Sequence, residues 1–403
     1  MSRTLALLLL ASLASQASAD DLGTDFGPQA RAIYRVAACG GDDPIPERFH
    51  AKAIASHCAS MTRLYASYKR AWADVAGAFI ANLRPATAPT TVVYPFGGGD
   101  LTSALVVFPD ATDITTLSLE APGDVRAIDT IKPAQLTTDL GTIGKDVRRL
   151  YRSAHSTTKS LQAAAYSELP GSLMFALAGL AVFDFEPVSL RYFDINTDGS
   201  LVYLSNDELD RRVAIVKATQ KATPTAKKRF DASKHLWLEM DSVFANVEIQ
   251  YRPRNDLKGS VRTYRHILMN LDNAHLTADP RVLAHLQTKG KVSAMTKAAS
   301  FLLWYDDFSQ IRNYLLANTT WMISDASGIP PSHANPAGFE QITYGTFTGP
   351  YFIQDRHSTR HQFVKLWAKQ PRRDLPFRFG YPDENKQNHL MVTQPRSAPP
   401  ATP

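Results

Sequence analysis

The chain has 403 residues, of which 44% are hydrophobic and 20% charged, a balance typical of globular proteins and not of disordered ones. Its formal net charge of +6 is spread over short basic clusters with acidic or polar neighbours. A nucleic-acid interface would gather such charge on one face, so we expect solvated surface and no nucleic-acid partner.

Residues 1–19 have the pattern of a secretory signal peptide. Arg3 precedes the apolar run LALLLLASLA, and the small residues Ala17-Ser18-Ala19 suit signal peptidase. The apolar run is too short to anchor the chain in a bilayer. We therefore expect cleavage near Ala19 and a soluble bacterial protein, periplasmic or secreted, with no transmembrane segment in the mature chain.

The next segment, residues 20–85, is predicted to be helical. A first helix starts at Pro28 and ends at the motif CGG, where a glycine suits the left-handed cap. A long amphipathic helix follows from Glu47, with apolar residues recurring every three or four positions. It should stop before Pro85, because the residue preceding a proline avoids helical dihedrals.

Both cysteines of the chain, Cys39 and Cys58, lie in this helical segment. In an oxidising compartment, a pair this close in sequence is expected to form a disulfide. The alternative is a metal site that adds His50 and His57, although the spacing matches no standard zinc signature.

A strand, a glycine turn, a short helix and a second strand are predicted in succession between Thr90 and Glu120. They correspond to TTVVYPF, GGGD, LTSALVVF and DITTLSLE. This order predicts a Rossmann-like β-α-β unit that opens an α/β domain over residues 86–390. A mixed α+β arrangement is the alternative fold class.

Hairpins and helices are predicted for the middle of this domain. Residues 169–185 form its most apolar run, which favours a buried helix or a helix–strand pair because it is too short to span a membrane. A hairpin is predicted around Asp198-Gly199, and a longer one around NDLKG. Between them, SNDE is a capping box that starts a helix at Ser205.

The last part of the chain is predicted to be mostly helical. Helices are expected in DPRVLAHLQ and throughout residues 291–318, followed by the strand-like segment QITYGTFTGPYFI. The final residues, 391–403, are rich in proline and polar side chains, so a disordered tail is expected. His357 and His361 lack the intervening glutamate of a metalloprotease helix, which indicates a polar surface stretch.

The glycine turn is the first candidate ligand site. Gly97, Gly98 and Gly99 precede a helix, and Glu120 ends the next strand, which is the layout that nucleotide-binding folds use for an anion and a ribose. The spacing departs from G-x-G-x-x-G and suits a methyltransferase-type loop better. The alternative, which the sequence favours, is a structural turn with Asp100 as the helix N-cap.

The segment DINTDG is a candidate calcium loop. Asp194, Asn196 and Asp198 satisfy its front half, but Ser205 stands where a bidentate glutamate is needed. A hairpin turn explains the segment without a metal. We therefore favour the turn, keep weak calcium binding as the alternative, and expect no other cofactor.

Two further candidates lie near the C-terminus. Asp325 and Ser327 belong to a loop bounded by glycine and prolines, SDASGIPPSH, of the kind that often holds functional sites. Arg312, in FSQIRN, is a candidate partner for a carboxylate or an anion if it points inward.

Several of these segments together resemble an uncharacterised family of exported bacterial proteins. The similar segments are VVYPFGGGD with FPDA and LE, RYFDINTDGSLVYLSNDEL, and SFLLWYDDFSQIRNYL with SDASGIP. They span most of the chain after the leader, although family members carry a different residue between the glycines of YPFGGGD. The resemblance implies export and one continuous unit, and it brings no activity, cofactor or catalytic residue with it.

The favoured hypothesis is a small-ligand-binding or envelope-associated module whose partner is a small molecule or an envelope component. Its pocket would lie at the strand ends, lined by Asp100, Arg312 and the loop Asp325–Gly328. One alternative is an enzyme that uses the same acids, either a degenerate methyltransferase-like protein or a hydrolase. Another is a structural envelope protein without a pocket.

Overall fold

The computed structural model describes residues 23–153, 168–222, 230–231, 236–237, 242–256, 258–297, 299–349, 359–380 and 387–396. The predicted signal peptide and the end of the predicted tail, from residue 397, lie outside these ranges. Within them, no helix is both long enough and apolar enough to cross a membrane.

The strands, in chain order, are β1 (Thr91–Pro95), β2 (Asp113–Ser118), β3 (Phe185–Ile195), β4 (Leu201–Tyr203), β5 (Phe230–Asp231), β6 (Leu236–Trp237), β7 (Asn246–Pro253), β8 (Arg262–Leu268), β9 (Val292–Thr296), β10 (Thr319–Ser324), β11 (Phe339–Gly345) and β12 (His389–Pro395). Among the described residues, ten of them form one mixed sheet in the order β11-β12-β10-β9-β1-β2-β8-β7-β3-β4. The five central strands are parallel, and the flanking strands add antiparallel pairs on both sides.

The α-helices are α1 (Gly27–Val36), α2 (Ala51–Tyr68), α3 (Asp74–Ala81), α4 (Leu101–Val107), α5 (Ala127–Thr130), α6 (Pro133–Ser153), α7 (Gly171–Val182), α8 (Asn206–Ala222), α9 (Asn273–Ala278), α10 (Arg281–Thr288), α11 (Ser309–Asn318), α12 (Pro331–Ala334) and α13 (Thr359–Lys369). A π-helical turn, Lys69–Ala73, joins α2 to α3 without a break. Two 3₁₀ segments, Ala299–Trp304 and Asp306–Phe308, precede α11.

Alternate residues of β1 face two different hydrophobic cores, as the pleat of a strand requires. Val92 and Tyr94 pack with residues of α1 to α4, α6 and α7. Val93 packs with residues of α9, α10 and α11 on the other face. Because α4 connects β1 to β2 whereas α9 and α10 connect β8 to β9, the winding direction reverses between β1 and β9. We call this place the switch point.

The fold is mixed α/β, and several local predictions are confirmed. β1 and β2 are parallel neighbours connected by α4, and both predicted hairpins form, as β3–β4 and β7–β8. Cys39 and Cys58 form a disulfide, which overturns the metal alternative for this pair. The Ser205 hydroxyl accepts a hydrogen bond from the Glu208 amide at the start of α8, as the capping box predicts.

Two predictions are wrong in part. Residues 291–318 are not helical throughout, because β9 occupies Val292–Thr296 at the centre of the sheet. Ala, Met and Lys favour a helix by intrinsic propensity, but both faces of this strand are covered and tertiary burial overrides that preference. The tail begins later than residue 391, because the buried residues Met391 and Val392 belong to β12, which lies between β10 and β11.

Candidate functional site

Polar residues follow the carboxyl ends of the parallel strands, which meet at one edge of the sheet. The bend Phe96–Asp100 follows β1 and Glu120 follows β2, while Lys297 and Asp325 come directly after β9 and β10. These elements place three candidate side chains, those of Asp100, Glu120 and Asp325, together with Lys297 at the edge where open α/β sheets hold their ligands.

The bend after β1 is buried and tightly packed. Phe96 and Gly98 have φ values of +61° and +53°, a conformation that is unusual for a bulky aromatic residue. A β-carbon added at Gly99 would lie 2.5 Å from the carbonyl oxygen of Ser172, and one at Gly97 would lie 2.8 Å from the ring of Tyr94. The glycines therefore allow a close approach of chain segments, and their ligand-binding role stays a prediction.

Asp100 caps α4 and also faces the site. One carboxylate oxygen accepts a hydrogen bond from the Ser103 amide at 3.1 Å, which confirms the N-cap interpretation. The other accepts a hydrogen bond from the Tyr94 hydroxyl at 3.2 Å and lies 3.8 Å from Nζ of Lys297. One side chain thus fixes the helix start and approaches the lysine that follows β9.

Lys297 is the residue that the sequence interpretation missed. Only 2% of it is exposed, and its Nζ donates to the Ser103 hydroxyl at 3.2 Å. The ammonium group lies over the rings of Trp72 and Phe379, at 5.6 and 5.7 Å from their centroids. Burial lowers the pKa of Lys297 below its ordinary value, although Asp100 and Asp325 act in the opposite direction. One signal was present in the sequence, since no other charged residue lies between positions 291 and 306.

Asp325 approaches the same lysine from β10. Its carboxylate accepts hydrogen bonds from the Ser327 amide, at 2.8 Å, and from the Ser327 hydroxyl. The hydroxyls of Ser300 and Ser327 lie 2.6 Å apart, and the Ala326 amide donates to Nδ1 of His389 on β12. The loop is therefore held on two sides, and we call Asp100, Ser103, Lys297, Asp325 and Ser327 the carboxyl-edge cluster.

Two buried hydroxyls beside this loop have no hydrogen-bond partner within the described ranges. Thr296 and Ser324 end the neighbouring strands β9 and β10 and are paired in register. A β-carbon at Gly328 would lie 2.5 Å from the Ser324 hydroxyl and 3.3 Å from that of Thr296. Unpaired buried hydroxyls are costly, and these two lie at the edge that carries the cluster.

Glu120 and the bend are connected through a buried histidine. Nε2 of His266, on β8, lies 2.7 Å from the Glu120 carbonyl oxygen, and its Nδ1 lies 2.9 Å from the Thr116 hydroxyl. Burial lowers the pKa of His266 to about 4, and hydrogen bonds to the carbonyls of Glu120 and Gly98 oppose that shift only in part. A neutral imidazole therefore links β8 and β2 to the glycine bend.

Arg312 contacts a different part of the structure. Its guanidinium donates to the carbonyls of Leu303 and Tyr305, at 2.9 and 3.0 Å, and approaches the Asp306 carboxylate at 3.3 Å. It therefore holds the 3₁₀ segments against α11. The structure brings Asp100 and Asp325 together around Lys297, whereas the contacts of Arg312 are with the 3₁₀ segments.

The candidate calcium residues form contacts within and around the β3–β4 hairpin. Asp194 pairs with Arg212 at 2.7 Å, Asn196 donates to the Ser200 hydroxyl at 2.9 Å, and Asp198 accepts from the Ser200 amide and hydroxyl. The part of the chain that the structure describes contains no group of three or more His, Cys, Asp and Glu side chains arranged for a metal. Calcium binding stays a prediction.

The other polar candidates lie apart from the cluster. His361 is exposed on α13, and His357 falls outside the described residues. A cavity of about 340 Å³ opens beside the ends of β11 and β12. It is lined by Gly345, Thr346, Arg372, Asp374, Leu375, Pro376, Gln387 and Asn388.

Comparison of the chain with protein-family models, with curated proteins and with solved structures finds no match.

Proposed function

We propose that the protein is an exported module that binds a small ligand at the switch point, where Asp100, Lys297 and Asp325 converge. The observation that carries the proposal is the burial of Lys297 at this edge of the sheet, 3.8 Å from the Asp100 carboxylate and within the electrostatic influence of Asp325. Open α/β sheets bind their ligands at the carboxyl ends of strands where the winding reverses. The leader-like N-terminus and the disulfide support export.

The cost of this arrangement supports a functional role. A buried lysine destabilises a protein unless it is closely paired, and the Asp100 carboxylate lies 3.8 Å from Lys297, at the outer limit of an ion pair. The left-handed conformation of Phe96 adds backbone strain of about 1–3 kcal/mol. Strain and perturbed ionisable groups gather at functional sites more often than elsewhere.

The two aromatic rings that lie against Lys297, those of Trp72 and Phe379, suggest where a ligand enters the cluster. Trp72 belongs to the π-helical turn between α2 and α3, and π-helical turns occur frequently at functional sites. Its indole nitrogen donates to the Arg378 carbonyl at 2.6 Å, next to Phe379. Displacement of Trp72 and Phe379 would open the cluster to a ligand.

Thermal unfolding in the presence of adenosine, S-adenosylhomocysteine, N-acetylglucosamine and lysine tests the proposal. A compound present at about 100 times its Kd stabilises the native state by about 2.7 kcal/mol, which raises the Tm by several degrees. We expect at least one compound to raise the Tm of the wild type and of the control Lys291→Met, whose lysine is exposed. The rise should vanish in Lys297→Met. A Tm that no compound changes would contradict the proposal.

A methyltransferase-like enzyme is the second candidate, and the strand order favours it. Seven strands run β8-β2-β1-β9-β10-β12-β11, and β12 is antiparallel to both of its neighbours. The first five of these strands, β8-β2-β1-β9-β10, have the order of doubly wound nucleotide-binding sheets, and Glu120 ends the strand whose acid would hold the ribose. A rise in Tm with S-adenosylhomocysteine that is lost in Glu120→Gln would support this candidate, and no binding of that compound would refute it.

A further inference from the structure

We propose that Ser103 and Lys297 form a nucleophile–base pair that transfers acyl groups, an activity beyond ligand binding. The inference rests on the proposed function in one respect: the carboxyl-edge cluster must open to solvent before an ester can reach it. Its substrate class is an ester with a small apolar acyl group.

The geometry places the two groups in direct contact. Ser103 lies in the first turn of α4, where Asp100 holds its backbone amide. Its hydroxyl lies 3.2 Å from Nζ of Lys297, closer than the 3.8 Å that separates this nitrogen from the Asp100 carboxylate. The Tyr68 hydroxyl hydrogen-bonds the same serine. The serine therefore contacts both an amine and a phenol, and because burial raises the pKa of the Tyr68 hydroxyl well above its ordinary value, the phenol keeps its proton and the amine is the candidate base.

The surroundings of the lysine favour its action as a base. A serine hydroxyl is a weak nucleophile until an adjacent base removes its proton. Lys297 can do so only as the neutral amine, and its burial lowers its pKa in that direction, although Asp100 and Asp325 oppose the shift. A covered amine in contact with a serine hydroxyl thus has the chemistry that the reaction needs.

The reaction proceeds in two balanced halves. The Ser103 oxygen bonds to the ester carbonyl carbon, its proton passes to Lys297, and the bond to the leaving alcohol breaks as the alcohol takes that proton. Water then attacks the acyl-serine, gives a proton to Lys297, and releases the carboxylic acid as Ser103 regains its proton. No oxidant, reductant or cofactor is consumed.

The walls of the site limit the acyl group. Trp72 and Phe379 lie against the lysine, and Tyr94 contacts Asp100 beside it. These rings favour an apolar acyl group over a charged one, because burying a charge against aromatic walls without a partner is costly.

A fluorophosphonate probe, which phosphonylates activated serines, tests the pair in the full chain. Peptide mapping should find the adduct on Ser103 in the wild type and in the control Ser293→Ala, which removes another buried serine, bonded to the Pro89 carbonyl. Ser103→Ala should abolish the adduct, and Lys297→Met should slow its formation by about 100-fold or more. The absence of an adduct on Ser103, or a rate that Lys297→Met leaves unchanged, would overturn the proposal.

Two measurements keep the test decisive if Lys297→Met folds poorly. In the wild type, the labelling rate should rise with pH as Lys297, which faces Asp100 and Asp325, loses its proton, while Tyr68 bonds to Ser103. Trp72→Ala should accelerate labelling because it removes part of the cover. A rate independent of pH would overturn the proposal. If a ligand raises the Tm but the probe forms no adduct on Ser103, the ligand-binding proposal stands and only the acyl-transfer proposal is refuted.

Discussion

Two groups of charges lie on the sheet, one half-buried around the buried Glu248 and one buried, and their pairing differs. The first, which we call the sheet-face network, consists of Asp113, Glu248, Arg265 and Lys289. Arg265 donates to Glu248 at 2.8 and 2.7 Å and also to Asp113, which accepts from Lys289 at 2.9 Å. Two cations thus balance two anions. In the carboxyl-edge cluster, a single lysine serves two carboxylates, and its ion-pair distance is 3.8 Å.

This difference separates a group that stabilises the fold from one that is available for chemistry. Short bonds between matched charges compensate the loss of hydration when ions are buried. The network has such bonds, which fits a structural role. The cluster has looser pairing, unpaired hydroxyls nearby and a strained bend, so it gains less stability from the same kinds of residue.

The largest expected effect is on the network. Arg265→Met should lower the free energy of unfolding by about 3–5 kcal/mol, because it leaves Glu248, only 3% exposed, without its cation. Urea unfolding measures the change. The control Arg211→Met removes a side chain that is 62% exposed and paired only on the surface, and should leave stability nearly unchanged. Equal losses in both variants would show that the network does not stabilise the fold.

Acid should lower the stability of the protein through two buried histidines, one near each region. The pKa of His266, at the carboxyl edge, and that of His285, near Lys289, are both lowered to about 4, chiefly by burial. Since unfolding returns each group to about 6.5, stability should fall as the pH drops from about 6.5 to 4. For His266 the loss is on the order of 3 kcal/mol.

Unfolding at a series of pH values separates the two contributions. His266→Gln and His285→Gln should each remove part of the loss between pH 6.5 and 4, whereas the exposed control His361→Gln should not. Asp113 affects stability over a lower pH range. Burial alone would raise its pKa, but Lys289 and Arg265 together hold it below the ordinary value, so its contribution is lost only below about pH 4. A pH profile that is flat from 6.5 to 4 would contradict the histidine assignment.

The smallest expected effect is at the helix cap of the cluster. Asp100→Ala removes the acceptor for the Ser103 amide and should cost about 1 kcal/mol, whereas Asp100→Asn keeps a capping side chain and should cost less. Thermal or urea unfolding of the two variants measures the difference. If Asp100→Ala cost as much as Arg265→Met, the contrast between the two regions would be wrong.

Local features were predictable from the sequence wherever a few neighbouring residues decide them. The disulfide, the capping box at Ser205, the two hairpins and the Asp100 cap each follow from short spacings. The strand β9 was not predictable in this way, because VSAMT has weak strand propensity and becomes a strand through burial on both faces. Missing β9 also meant missing Lys297, whose position at the strand end defines the cluster.

By itself, the sequence determined the α/β class, the opening β-α-β unit and the residues that cap, turn and crosslink the chain, since these depend on contacts between near neighbours. Only the tertiary structure decided that β9 and β10 lie beside β1, and so brought Lys297 and Asp325 to Asp100. Pairing of strands about 200 residues apart depends on the whole core, which no local pattern encodes.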